Sequence, residues 1–197
     1  MEEECYSRSE WENVCGKRPS RHTVCFSHGK ESGPWGAKII ALAEVAKEKG
    51  FNVVSIDYEG DTDPDCRVKR LYCEFKPSAG INILVGSSMG GYVATVASQH
   101  FSPDGLFLMA PAFGMKGYRE QFPVPCASKI SVVHGLHDEV VPYINSMEFA
   151  VKNNAQFHLL DDGHQLIDSI PIVCDLFARF INSLFMSQGK KALTAFV

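Results

Sequence analysis

Ile81-Asn-Ile-Leu-Val-Gly-Ser-Ser-Met-Gly-Gly91 decides how this chain is organised. Ile81 to Val85 is a short apolar run that reads as a buried strand, and Gly90 to Phe101, rich in Ala and Val, reads as a helix. Between them Gly86 and Gly90 frame Ser88 at two-residue offsets, a G-x-S-x-G pattern. A serine on so sharp a strand-to-helix turn takes a strained backbone, and the flanking positions lie too close to neighbouring chain for a Cβ. The same turn sets the serine at a helix N-terminus, where free N–H groups and the helix dipole favour developing negative charge. A tight turn with a capping serine fits these residues as well. The rest of the chain has to arbitrate.

Outward from this stretch, short apolar runs alternate with helical segments. Strands are expected at Thr23–Ser27, Phe51–Ile56, Ile81–Val85, Gly105–Ala110, Lys129–Val133 and Gln156–Leu160. Helices are expected over Pro34–Lys49, around Val68, Leu71 and Tyr72, over Gly90–Phe101 and Tyr143–Lys152, and from about Ile167 to Phe185. Strands alternating with helices through short links imply right-handed βαβ units. The predicted class is therefore α/β, a three-layer α/β/α sandwich around a mainly parallel sheet of about six strands. Residues 1–21 read as a polar tail or edge segment, 22–186 as a single domain, and 187–197 as a loose tail. No internal repeat or low-complexity segment interrupts this order.

In such a sheet, chemistry belongs in the loops at the carboxyl ends of the strands. His134-Gly-Leu-His-Asp138 follows the fifth strand, and Asp161-Asp-Gly-His164 follows the sixth. An acid and then a histidine thus come after the serine, the chain order Ser…Asp…His of a nucleophile elbow and its partners. A serine hydroxyl is a poor nucleophile without an adjacent base. His164 is the candidate base, and Asp138 the acid that would hold its imidazole in one tautomer and stabilise the imidazolium. The rivals are weaker. Ser87 lacks the glycine frame, Glu139 is the runner-up acid, and Asp161 and Asp162 read as turn formers. His134 is expected to make structural hydrogen bonds, His137 to be exposed, and His22, His100 and His158 have no strand-end placement.

An oxyanion hole needs two backbone N–H groups, one from the residue after the nucleophile and one from the loop after the first strand. Met89 and Lys30, the latter directly after His28-Gly29, are the candidates. Together the His-Gly loop, the G-x-S-x-G elbow, Asp138-Glu-Val-Val-Pro142 and the late Gly163-His164 resemble the α/β-hydrolase superfamily, in particular its small, lid-less, esterase-like members. The resemblance spans roughly Thr23 to Phe185. It implies acyl transfer to the serine and hydrolysis of the acyl-enzyme by water, with a carboxylic ester or thioester on a small molecule or an acyl carrier as substrate. Acyl transfer to another acceptor, peptide cleavage, or a binding role without catalysis are the alternatives on the same scaffold. Two departures stand out. The first two strands usual in the fold are not evident before Thr23, which leaves a truncated sheet as the expectation. The stretch from Gly114 to Ala127 is too short for a helical cap, so the site is expected to be open to bulky or protein-borne acyl groups.

Composition narrows the rest. The chain has 197 residues, 45% of them hydrophobic and 21% charged, with a net charge of −4 and scattered Lys and Arg. That is a globular composition without the basic face a nucleic-acid partner would need. The acidic start and the lack of an unbroken apolar run of roughly 18 to 20 residues predict a cytoplasmic protein with no membrane span. Seven cysteines without a C-x-x-C pair predict reduced thiols, with Cys25 a buried small hydrophobe. Nothing in the sequence calls for a metal or an organic cofactor, and a monomer or homodimer is expected. His28 reads as a scaffold residue and is carried also as a pocket candidate. Phe113, Met115, Tyr118, Phe122 and Tyr143 either line an acyl or alcohol pocket or pack as ordinary core. The acidic loop Asp57–Asp65 is either a cation or polar-substrate site or, more simply, a solvated loop.

Overall fold

A computed structural model describes residues 21–194, those from 188 onward as backbone only. The sheet has six strands: β1 Thr23–Ser27, β2 Asn52–Ile56, β3 Asn82–Ser87, β4 Gly105–Met109, β5 Lys129–Gly135 and β6 Gln156–Leu160. Its order is β2-β1-β3-β4-β5-β6, and every pairing is parallel. Among the described residues five helices cover it: α1 Ala37–Glu48, α2 Pro64–Glu74, α3 Met89–Phe101, α4 Tyr143–Lys152 and α5 Ile170–Thr194.

Burial explains the apolar strands. β1, β3 and β4 lie between both helical layers and are buried almost throughout, whereas the edge strands β2 and β6 are partly exposed. Ile39, Leu42 and Ala46 of α1 share one core with Val173, Phe177 and Phe180 of α5. Leu71 of α2, Val93 of α3 and Phe149 of α4 belong to the core on the other face. The chain therefore leaves β1 and β3, neighbours in the sheet, toward opposite faces. That divergence opens a crevice at the carboxyl end of the sheet.

The elbow needs its glycines for contact reasons. A Cβ on Gly90 would run into the carbonyls of Ser27 and His28, and one on Gly86 into the backbone of Gly90 and Gly91. With those atoms missing, α3 starts hard against the end of β1. The expected strand before the elbow extends two residues further, through Gly86 and Ser87, because its ladder to β4 continues to the Ser87–Met109 pair.

One expectation needs correction. Residues from Ser187 are not a loose tail as far as Thr194, because α5 continues through them with no proline to end the helix. Ile170–Ser187 is long and apolar enough by length and composition to cross a membrane, a test that the core helix of a globular domain also passes. No uninterrupted apolar run marks it in the sequence, because Asp175 and Arg179 fall inside it. Both are exposed, while Val173, Phe177, Ile181 and Leu184 turn inward onto the sheet. The tail or edge segment expected over residues 1–21, and any strand before Thr23, lie outside the described residues apart from Arg21.

Phe177 is fully buried, with its ring centroid 5.0 Å from that of Phe107, so Phe177→Ala should cost about 3–5 kcal/mol in urea unfolding. Ile172→Ala on the exposed side of the same helix should stay within about 0.5 kcal/mol. A reversed ordering would mean that α5 does not bury this stripe against the sheet.

Candidate active site

Parallel register brings the separate loops together. Ser27 pairs with Gly86, so His28-Gly29-Lys30 emerges beside Ser87-Ser88-Met89. Gly135 pairs with Leu160, so the loop carrying Asp138 emerges beside the turn carrying His164. Ser88 itself holds φ 54° and ψ −120°, a conformation a non-glycine residue rarely adopts. Its N–H donates to the Met109 carbonyl, and its own carbonyl accepts from Gly91, Tyr92 and Ala112. Those bonds to α3 and to the chain beyond β4 over-determine the strained turn.

Ser88 Oγ lies 3.0 Å from His164 Nε2, and His164 Nδ1 lies 2.7 Å from Asp138 Oδ2. Because an ionised carboxylate only accepts, Nδ1 carries the proton and Nε2 is left to accept from the Ser88 hydroxyl. Asp138 is closely held. Its Oδ1 accepts from the N–H groups of Val140 and Val141, and its Oδ2 accepts a second imidazole, His134 Nε2, at 2.9 Å. Burial alone would raise this carboxyl, but the bonds from His134, His164, Val141 and Val140 outweigh it and hold the group well below the usual carboxylate range. His134 is fully buried, and its Nδ1 pairs with Ser146 Oγ at 2.7 Å, which locks the ring. Its expected structural hydrogen bonds are thus directed at the acid, a contact that the four-residue spacing from Asp138 could have suggested.

The rivals sort themselves physically. Glu139 is exposed, and His137 forms a solvent-facing pair with Asp161. Asp162 accepts from the N–H groups of Gly163 and Ser169, which ties down the turn that presents His164. In the acidic loop, Asp57, Asp61 and Asp63 accept from backbone N–H groups two or three residues ahead, and Asp63 caps α2. Those carboxylates are occupied as turn and cap acceptors.

A cleft of about 580 Å³ lies against Ser88 and His164, bordered by Lys30, Met89, Met115 and Tyr118. Met115 lines this cleft. His28, Phe113 and Tyr143 are corrections. His28 is fully buried, its Nε2 accepting from Tyr58 N–H and its Nδ1 donating to the Gly29 carbonyl. Phe113 is buried against Phe149, with ring centroids 4.4 Å apart, and Tyr143 opens α4 away from the cleft lining. Phe122 borders a separate groove beside α4. Periodicity marks such residues as apolar but cannot say which side of the sheet rim they face. The connection between β4 and β5 contains turns and no helix, so among the described residues that connection places no helical cap over the cleft.

Comparison with known structures agrees with this fold. A Xanthomonas campestris pv. campestris protein assigned to the α/β-hydrolase superfamily is 32% identical, over 82% of this chain and 98% of that one, with a TM-score of 0.72. The chain belongs to the α/β-hydrolase superfamily. Hydrolysis is accordingly the general class of activity of this chain. Est1E from Butyrivibrio proteoclasticus is 16% identical over 85% of this hydrolase and 89% of its own chain, with a TM-score of 0.70. A serine hydrolase without a lid from Xanthomonas campestris is 18% identical over 84% and 83%, with a TM-score of 0.61. These two share the fold. No family model and no curated protein matches the chain.

Asp138 ionises more readily folded than unfolded, where a carboxyl titrates near pH 3.9. The unfolded chain then binds more protons in acid, so this contribution to stability is complete above about pH 5 and fades as the pH falls. Denaturant midpoints measured from pH 7 to pH 3 should fall for the wild type and fall less for Asp138→Asn. Parallel slopes would remove Asp138 from the acid response.

Proposed function

We propose that this protein is a serine hydrolase that cleaves carboxylic ester or thioester bonds through an acyl-enzyme on Ser88. One observation carries the reading: a continuous hydrogen-bonded relay from Ser88 Oγ through His164 to Asp138, mounted on a positive-φ turn at the floor of a cleft. Ser88 Oγ attacks the substrate carbonyl while His164 Nε2 takes its proton. Asp138 keeps Nδ1 protonated and stabilises the imidazolium as it forms. The N–H groups of Met89 and Lys30 receive the carbonyl oxygen as it becomes an anion, and Met89, as the first residue of α3, adds the helix dipole. His164 then returns its proton to the departing alcohol or thiol, leaving the acyl group on Ser88. Water enters and attacks the acyl carbon as His164 removes its proton, and His164 then passes that proton to the departing Ser88 Oγ, which releases the acid and restores both residues. With no helix between β4 and β5 to cap the cleft, the reading extends to bulky or carrier-borne acyl groups.

A fluorophosphonate probe should label the wild type at Ser88, and Ser88→Ala should abolish both labelling and turnover of p-nitrophenyl acetate. Asp138→Asn should lower kcat by about 10⁴-fold through the wrong imidazole tautomer. A panel of esters and thioesters of graded acyl length, with amide and alcohol-acceptor arms, should favour hydrolysis of the esters or thioesters. Failure of Ser88 to react with any organophosphonate would instead favour a binding protein on this scaffold.

A further inference from the structure

Arg67 of α2 is 1% exposed, and among the described residues no carboxylate stands within ion-pairing distance of it. A buried guanidinium without a counter-ion is costly unless each of its five N–H groups finds an acceptor. Here backbone carbonyls supply all five. Nε donates to Asp61, Nη1 to His28 and Gly29 at 3.1 Å each, and Nη2 to Lys30 and Tyr58 at 3.4 Å each. The guanidinium carbon also lies 5.1 Å from the centroid of the Tyr58 ring, which adds a cation–π contact. Three of the five acceptors are consecutive, and they form the loop that faces Ser88.

One peptide in that loop is singled out. The Gly29 carbonyl accepts from Arg67 Nη1 and also from His28 Nδ1 at 2.7 Å. The His28 bond can be assigned a direction, because Nε2 already accepts from Tyr58 N–H, so the proton sits on Nδ1. Both donors are buried behind the loop. In a trans, planar peptide the N–H points opposite the C=O, so pinning the Gly29 oxygen inward turns the Lys30 N–H outward, toward the cleft that Gly29 and Lys30 border. Two donors on one carbonyl also polarise the peptide and strengthen its N–H as a donor.

We infer that Arg67 is a positioning residue for the oxyanion hole, holding and polarising the Gly29–Lys30 peptide so that the Lys30 N–H meets the charge that develops during reaction at Ser88. This rests on the serine hydrolase reading above. An arginine suits the task because its planar fork reaches several fixed carbonyls at once, which a lysine ammonium on a flexible stem does not.

The test compares Arg67→Lys with the wild type on p-nitrophenyl acetate and on its thionoester, whose C=S is a poor hydrogen-bond acceptor. Loss of a whole oxyanion donor costs about 10²- to 10³-fold, so misorienting one should lower the oxoester kcat by about 10- to 100-fold. KM and thionoester turnover should change much less, and the oxoester-to-thionoester ratio should collapse. Equal slowing of both substrates would show a structural role only and overturn the inference, as would an unchanged ratio. A second arm uses the wild type by NMR and needs neither a folded variant nor ester turnover. A hydrogen-bond scalar coupling between Arg67 Nη1 and the Gly29 carbonyl carbon is expected, and its absence would overturn the inference. Wild type that hydrolyses no ester, while showing that coupling, would sink the esterase reading and the oxyanion role with it, leaving the hydrogen bond as scaffold.

Discussion

The backbone of Ser88 stays at φ 54° and ψ −120° only because neighbouring chain leaves it no other course. Its amide is bound to β4, its carbonyl to α3 and Ala112, and α3 itself is pressed against the end of β1 where Gly90 has no side chain. A conformation of this kind costs on the order of 1–3 kcal/mol, and buried sheet on both sides holds it in place. In exchange the hydroxyl projects from the rim of the sheet instead of folding back to cap its own helix. Every other part of the candidate site is arranged around that point.

Two buried charges of opposite sign flank it. Asp138 receives hydrogen bonds from two imidazoles and two amides, and Arg67 donates to five carbonyls. Neither is held by a simple ion pair with the other kind of side chain. Each is solvated by protein dipoles that cannot reorient, the condition under which a polar network rigidifies its surroundings. The carboxylate thereby orients the candidate base, and the guanidinium orients the loop opposite. Sheet register makes this possible, since Ser27 lies level with Gly86 and Gly135 level with Leu160. Loops far apart in the chain are delivered to one rim without any long-range contact having to be built for that purpose.

Much of this was readable from residue order. The α/β class follows from the alternation of apolar runs and helical stripes, and Ser88, Asp138 and His164 follow from standing just after strands β3, β5 and β6. The end of α5 is not legible because no proline stops the helix after Phe185, Gly189 does not end it, and local composition there does not distinguish a helix from a tail. Arg67 gave a faint signal, a charge beside Val68 and Leu71 in a helix whose inner face is otherwise apolar.

The sequence by itself determined the layered sheet, the elbow and the order of its candidate partners, because these depend on periodicity, glycine placement and position along the chain. Only the tertiary structure decided that His134 clasps the acid, that Phe113 belongs to the core and Met115 to the cleft, and that Arg67 reaches the carbonyls of the loop after β1. Those facts depend on directions in space between segments tens of residues apart. Periodicity records which side chains are apolar or charged, whereas hydrogen-bond partners are chosen by the packing that brings their atoms within 3 Å or so.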